Sequence, residues 1–150
     1  MIKKNKLKND GYILIQVIVF SIIAVYILGA LVNWSIIGIK SARQEVERGS
    51  AFQIAEAGID YYRWHLSQAQ TDYKDGTGQD GPYTHDFYNV NNDIIGQFTL
   101  DIIPPASSHG FVTIKSTGEI NSNQNIKRTI ITKLDLVSNK YVTISWQEIK

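Results

Sequence analysis

KNDGYILIQVIVF, residues 8–20, changes character at a single glycine. Lys8, Asn9 and Asp10 stand before Gly11; after it the chain is apolar, with one glutamine, Gln16, inside the run. The run continues to Ile39, with Ser21, Asn33 and Ser35 as its other polar side chains and no charge at all. A helix needs about 20 apolar residues to cross the hydrocarbon core of a bilayer, and the stretch from Ile13 to Val32 supplies them. Asn33 and Trp34 then fall near the far interface, where an indole with its N–H is favoured. The reading is a membrane-spanning helix over residues 12–39.

The charges orient it. Lys3, Lys4, Lys6 and Lys8 precede the run, against one acid, Asp10. The positive-inside rule places this end in the cytoplasm and everything after Lys40 outside, a single-pass topology in the inner or cytoplasmic membrane. A secretory signal peptide is the competing reading, but its apolar core is about 7–15 residues and ends at a small-residue cleavage site. Here the run is longer and passes into polar helical sequence with no turn signal. The formal net charge is +1. With the basic leader set aside, the remainder is mildly acidic, which argues against a nucleic-acid partner needing a basic stripe for phosphates. There is no cysteine, so disulfides, thiolate nucleophiles and Cys-based zinc sites are excluded.

From Ser41 onward the pattern is amphipathic. Ala51, Ala55, Gly58, Ile59, Tyr62 and Leu66 recur at helical spacing and make one face. One helix is therefore expected from about Tyr12 to about Gln70, with residues 40–70 as its extramembrane half. The small residues Ala51, Ala55, Ala57 and Gly58 read as a packing stripe that lets a sheet or helix approach closely. Thr71 to Asn92, with Gly76, Gly78, Gly81 and Pro82, reads as a long loop. Strand patterns follow: QFTLDII (97–103), FVTIKSTG (111–118), IKRTIITKLDLV (126–137) and YVTISW (141–146). In the last, Val142, Ile144 and Trp146 share one face. The expected fold is α+β: a long N-terminal helix, membrane-spanning in its first half, packed in its second half on a small antiparallel sheet of about four strands, so that 71–150 and 40–70 form the head.

Chemistry-bearing residues are sparse. Asp72, Asp75, Asp80 and Asp86 surround DGTGQDG, and oxygen ligands on a glycine-rich loop can hold calcium. Lys74 interrupts the alternation an EF-hand needs, so a solvated loop is the plain reading and Asp72, Asp75 and Asp80 are the calcium alternative. His65, His85 and His109 lack second-ligand spacing. Ser107-Ser108-His109 has no oxyanion glycine pattern or acid partner. Tyr83, Phe87 and Tyr88 are expected to pin the long loop to the sheet. No enzyme activity and no cofactor are expected.

A short basic leader, a glycine, an aromatic, and a long apolar helix running on into AFQIAEAGIDYYRWHL (51–66) resemble type IV pilin-like proteins. Ala55-Glu56-Ala57-Gly58 resembles the helix of PilX-type minor pilins, and TIKSTGEINSNQNIKRTIITKL (113–134) is loosely similar to that group's closing β-hairpin. The resemblance implies that residues 1–11 are a leader cut by a prepilin peptidase between Gly11 and Tyr12, with methylation of the new N-terminus. The family usually has phenylalanine where Tyr12 stands. It usually has glutamate where Gln16 stands, a carboxylate held to pair with the N-terminal ammonium of a neighbouring subunit. Gln16 keeps an acceptor but not the charge, which in such proteins points to a tip or initiating subunit. The other reading of Gln16 is a polar side chain one turn inside the interface that reaches headgroups at little cost.

The function implied is a minor pilin or pseudopilin, a structural subunit of a type IV pilus or a related secretion or DNA-uptake pseudopilus. It would move from the membrane to a cell-surface filament. Its partners would be other pilin subunits, the prepilin peptidase, the inner-membrane assembly platform and membrane lipids. The rival is a single-pass anchored binding module that never assembles and uses the loop at Thr71–Asn92.

Overall fold

The structure, a computed structural model, describes residues 7–106, 110–121, 123–136, 138, 140–141 and 145–149, with side chains described for all but 7–11, 123–124 and 141. It divides into two units, 1–43 and 44–150.

A single helix, α1, spans Leu7–Gln68. All three prolines of the sequence lie beyond it, so nothing removes a helical N–H. It starts earlier than expected: Gly11 lies inside the helix rather than at its boundary. A glycine weakens a helix by about 1 kcal/mol relative to alanine without breaking it, and the change of polarity at Gly11 is a change of solvent, not of backbone. The carboxyl end falls at Gln68, where Ala69 N–H still reaches the His65 carbonyl at 2.9 Å.

Within the first unit every residue from Tyr12 to Ile39 is exposed. The large apolar side chains there are 45% to 77% exposed. Soluble monomers rarely expose an apolar surface of this size to water. The helix is long and apolar enough to cross a membrane.

The second unit is an α+β head. The strands are β1 (Tyr83–Tyr88), β2 (Ile94–Ile103), β3 (Phe111–Ile120), β4 (Asn123–Asp135), β5 (Lys140–Tyr141) and β6 (Gln147–Ile149). They form an antiparallel sheet in the order β1-β2-β3-β4-β5, with β6 also paired to β4. β5 and β6 share one edge of β4, pairing with Leu134–Asp135 and with Thr129–Ile131.

Two expectations change. Tyr83–Tyr88, read as loop, is the edge strand β1. Tyr83, His85 and Phe87 point to the core side while Thr84, Asp86 and Tyr88 are exposed. The alternation is present in the sequence, but a histidine at a core position hides it. Tyr83 and Phe87 are therefore members of the sheet rather than of the loop; from the sheet Tyr83 still ties down the loop through its hydroxyl, which donates to the Gln79 carbonyl, while Tyr88 faces away from the core. The last strand was expected as one run, Tyr141–Trp146. Ser145 and Trp146 lie outside any strand and pairing resumes at Gln147; Val142, Thr143 and Ile144 lie outside the described residues.

The helix face expected from spacing is the one buried. Ala51, Ala55, Ile59, Tyr62 and Leu66 are core residues, joined by Ile54. They meet the alternate residues of each strand: Phe98 and Leu100 of β2, Val112, Ile114 and Ile120 of β3, Ile130 and Leu134 of β4. On β3 the inward row runs Val112, Ile114, Ser116, Gly118, Ile120, and its two smallest members sit where the helix crosses. A Cβ on Gly118 would lie 2.2 Å from the Ala51 carbonyl oxygen and 2.5 Å from the Ala55 nitrogen. The small-residue stripe thus serves close helix–sheet approach.

The opposite face of the sheet is polar. Thr84, Thr99, Thr117 and Thr129 are neighbours across four strands, with hydroxyl contacts at 3.2 Å (Thr84–Thr99) and 2.9 Å (Thr117–Thr129). Beside them Gln97, Glu119 and Lys127 form a second row, in which the Lys127 ammonium lies 2.6 Å from Glu119. This ammonium, then the Gln97 amide, hold the Glu119 carboxyl below its usual range.

Candidate functional site

Three places carry features that packing alone does not require: the exposed stem, a polar cluster where the helix ends, and a cleft beside it.

On the stem, Tyr12 is 65% exposed. Gln16 follows it by four residues, one helical turn on, so the two share a face, and Gln16 is also exposed. The Gly11–Tyr12 bond is helical.

The polar cluster forms where residues 71–81 fold back over the last turns of α1. Asp72 organises the turn: its Oδ1 accepts from the Lys74 N–H at 2.9 Å and its Oδ2 from the Gly76 N–H at 2.8 Å. These backbone donors, the Lys74 N–H foremost, lower the Asp72 pKa. His65 Nε2 lies 3.3 Å from Asp72 Oδ2 but without the alignment a hydrogen bond needs.

Asp75 has a different role. It adopts φ 50°, a left-handed conformation that Asp tolerates better than most residues. That backbone turns its side chain inward until none of it is exposed. Its Oδ2 lies 2.6 Å from His85 Nε2. A carboxylate only accepts, so His85 donates from this nitrogen. The His85 ring lies against Tyr61 (centroids 4.6 Å) and Phe98 (5.3 Å). Burial first, and the Asp75 charge second, raise the Tyr61 pKa. Burial also raises that of Tyr62, with smaller contributions from Tyr83, Asp75 and Asp72. The Tyr62 hydroxyl and Asp75 Oδ1 are buried with no hydrogen-bond partner among the described residues.

This arrangement can anchor a loop. An Asp–His pair orients an imidazole, but no serine, threonine or cysteine stands in hydrogen-bond reach of His85 among the described contacts. Asp75→Ala is expected to cost about 1–3 kcal/mol, because it leaves the His85 donor half-buried and unpaired. Chemical unfolding of the full chain in detergent measures this. A loss no larger than that of Asp80→Ala, at an exposed position, contradicts it.

Asp72, Asp75 and Asp80 do not converge. Asp72 is occupied by its turn, Asp75 faces His85, and Asp80 pairs with Lys74 Nζ at 2.9 Å. Among the described residues no three His, Asp or Glu side chains are placed to share a metal ion. Asp86 is exposed on the polar side of β1. His109 lies outside the described residues, as do Ser107 and Ser108.

The cleft, about 470 Å³, lies between the loop and the end of β2, lined among others by Tyr73, Lys74, Asp80, Tyr83, Asp101 and Pro104. The Tyr83 hydroxyl donates to the Gln79 carbonyl at 2.8 Å and closes one wall.

The pairing of His85 with Asp75 was not foreseen. The two are ten residues apart with four glycines or prolines between them, and nothing in that spacing signals contact. The alternation of β1 is the one available clue, since it turns His85 inward.

Comparison with family models, with curated proteins and with solved structures found no match.

Proposed function

We propose that this chain is a pilin-like structural subunit, a minor pilin or pseudopilin that is cut between Gly11 and Tyr12 and assembled into a type IV pilus or a related secretion or DNA-uptake pseudopilus. The observation that carries the reading is the stem: an exposed, uncharged helix from Tyr12 to Ile39, starting directly after a glycine that follows a basic leader, and continuous with a small α+β head.

The chemistry is assembly rather than catalysis. The apolar helix is stored in lipid and then transferred into a bundle of like helices. That transfer exchanges lipid contacts for packing contacts, so small differences in fit decide it. Cutting before Tyr12 removes the lysines that hold the precursor in orientation and frees an ammonium at the start of the apolar stem. A peptidase needs an extended backbone at the scissile bond, and a helical glycine, about 1 kcal/mol weaker than alanine, is an easy place to open one.

Gln16 extends the reading to position. An ammonium buried in an apolar bundle needs a partner, and leaving a charge unpaired costs several kcal/mol. Gln16 has no charge with which to pair the ammonium of a subunit above it, which suits a place at or near the tip, where no subunit stands above. The test is to shear filaments from the native host and measure the tagged chain in the sheared fraction. Recovery there in few copies per filament supports a tip subunit; abundance equal to the shaft subunit removes tip placement; retention in the membrane removes the filament reading. The retained outcome would favour an anchored binding module, for which the cleft beside Tyr73 and Asp101 is the specific supporting feature.

A further inference from the structure

Among the described residues, one end of the head carries an apolar surface that the fold leaves bare. Val90, at the apex of the β1–β2 turn, is 102% exposed. Behind it Tyr88, Ile94 and Ile95 are 48%, 44% and 41% exposed, and on the helix Val46 is 70% exposed.

These residues gather at one end of the head. Along β2, Phe98 packs at Gly58 and Gly96 at Ile54, so the strand descends the helix toward its earlier residues. Next in line, Phe87, Ile95 and Ile120 share a shallow groove with Val46, Ser50 and Ile54. The β1–β2 turn therefore lies at the stem end of the head, where the chain arrives from the uncharged run. Val46 follows Ile39 by seven residues in the sequence. Val90 lies about three residues beyond Phe87, a reach of up to ~10 Å at strand rise.

The backbone of the turn is also largely paired within itself. Asn89 Oδ1 accepts from the N–H groups of Asn91 (2.8 Å) and Asp93 (2.9 Å). Asn89 N–H donates to the Asp93 carbonyl and Asn92 N–H to the Asn89 carbonyl, both at 3.0 Å. Asn121 donates to the carbonyls of Ile94 (3.0 Å) and Ile95 (3.1 Å) from β3's end. Four of the five N–H groups of residues 89–93 thus have partners within the turn, which lowers part of the penalty of approaching lipid. A tyrosine beside aliphatic side chains suits the headgroup layer. Finally, the uncharged run of about 28 residues is ~42 Å as a helix, against a ~30 Å hydrocarbon core. Excess length of this kind is accommodated by tilting, kinking or local thickening of the bilayer.

We propose that the β1–β2 turn, with Val90 at its apex and Tyr88, Ile94, Ile95 and Val46 behind it, is a membrane-docking surface that rests in the interfacial layer of the bilayer. This needs only the single membrane crossing and not assembly into a filament.

The chain has no cysteine, so one nitroxide can be placed at will. The full chain, reconstituted in phosphatidylethanolamine–phosphatidylglycerol vesicles, is labelled at Val90→Cys, at Ile23→Cys in the apolar run, and at Ser138→Cys in the β4–β5 turn. Collision rates with oxygen, which partitions into lipid, and with a water-soluble nickel chelate are then compared. The proposal expects the oxygen-to-nickel ratio at Val90 to lie several-fold above that at Ser138 and below that at Ile23. A lipid-like ratio at Ile23 with a ratio at Val90 equal to that at Ser138 overturns the docking and leaves the membrane crossing intact. Protection of Val90 from both reagents overturns it in favour of a protein–protein contact. A water-like ratio at Ile23 overturns crossing and docking together.

Discussion

Gly118→Ala is expected to destabilise the head by about 3 kcal/mol or more, the upper end of what overpacking a filled interior costs. The added methyl would stand 2.2 Å from the Ala51 carbonyl oxygen and 2.5 Å from the Ala55 nitrogen. Both are backbone atoms of α1, so no side-chain rotation relieves the clash. The helix must lift from β3, and the packing of Ile54, Ile59 and Tyr62 is loosened with it. Gly58→Ala makes the informative comparison. Its methyl would meet Ser116 Oγ at 2.4 Å and Phe98 Cδ2 at 2.8 Å, both side-chain atoms. Ser116 can rotate, and alanine improves helix propensity by about 1 kcal/mol over glycine. The expected order is a large loss for Gly118→Ala and a clearly smaller one for Gly58→Ala, read as the shift in urea midpoint of the full chain in detergent. Equal losses would mean that the close approach on Gly118 is not what sets the helix–sheet distance.

Gly11→Val is expected to abolish processing while leaving the membrane crossing intact. Gly11 already lies within α1 and the apolar run begins after it, so valine there costs the helix little and does not alter the span. If a peptidase opens the backbone at Gly11–Tyr12, a β-branched residue obstructs the step that matters. The variant should accumulate in the membrane fraction, heavier than the wild-type chain by residues 1–11, and be lost from sheared filaments. A variant that reaches the filament fraction at wild-type level, or a wild-type chain of the same mass as the variant, contradicts the proposed cut.

Much of the architecture was legible because it rests on periodicity. The face Ala51, Ala55, Gly58, Ile59, Tyr62 and Leu66 was written at helical spacing and is the buried face. QFTLDII and FVTIKSTG alternate cleanly, and both are strands. β1 is hidden because YTHDFY spends its middle core position on a histidine, and it is the contacts with Tyr61, Phe98 and the buried Asp75 that hold His85 half-buried on the core side. The division of the last strand into β5 and β6 was missed because alternation reports which way side chains point and not where an edge partner lets go. The polar cluster was illegible for a related reason. The acids that suggested calcium, Asp72, Asp75 and Asp80, are separated by turn geometry, one capping a turn, one turned inward at positive φ and one paired with Lys74. Gln16 is legible as an oddity in sequence, and the exposed stem adds that it shares a face with Tyr12.

The most direct test of the proposed pilin-like role is the N-terminal mass of the protein from its native host, taken separately from membranes and from sheared filaments. The proposal expects a chain that begins at methylated Tyr12 and is present in the filament fraction. A chain that still begins at Met1 and stays in the membrane would contradict it, and would leave an anchored head whose apolar stem serves only to hold it in place.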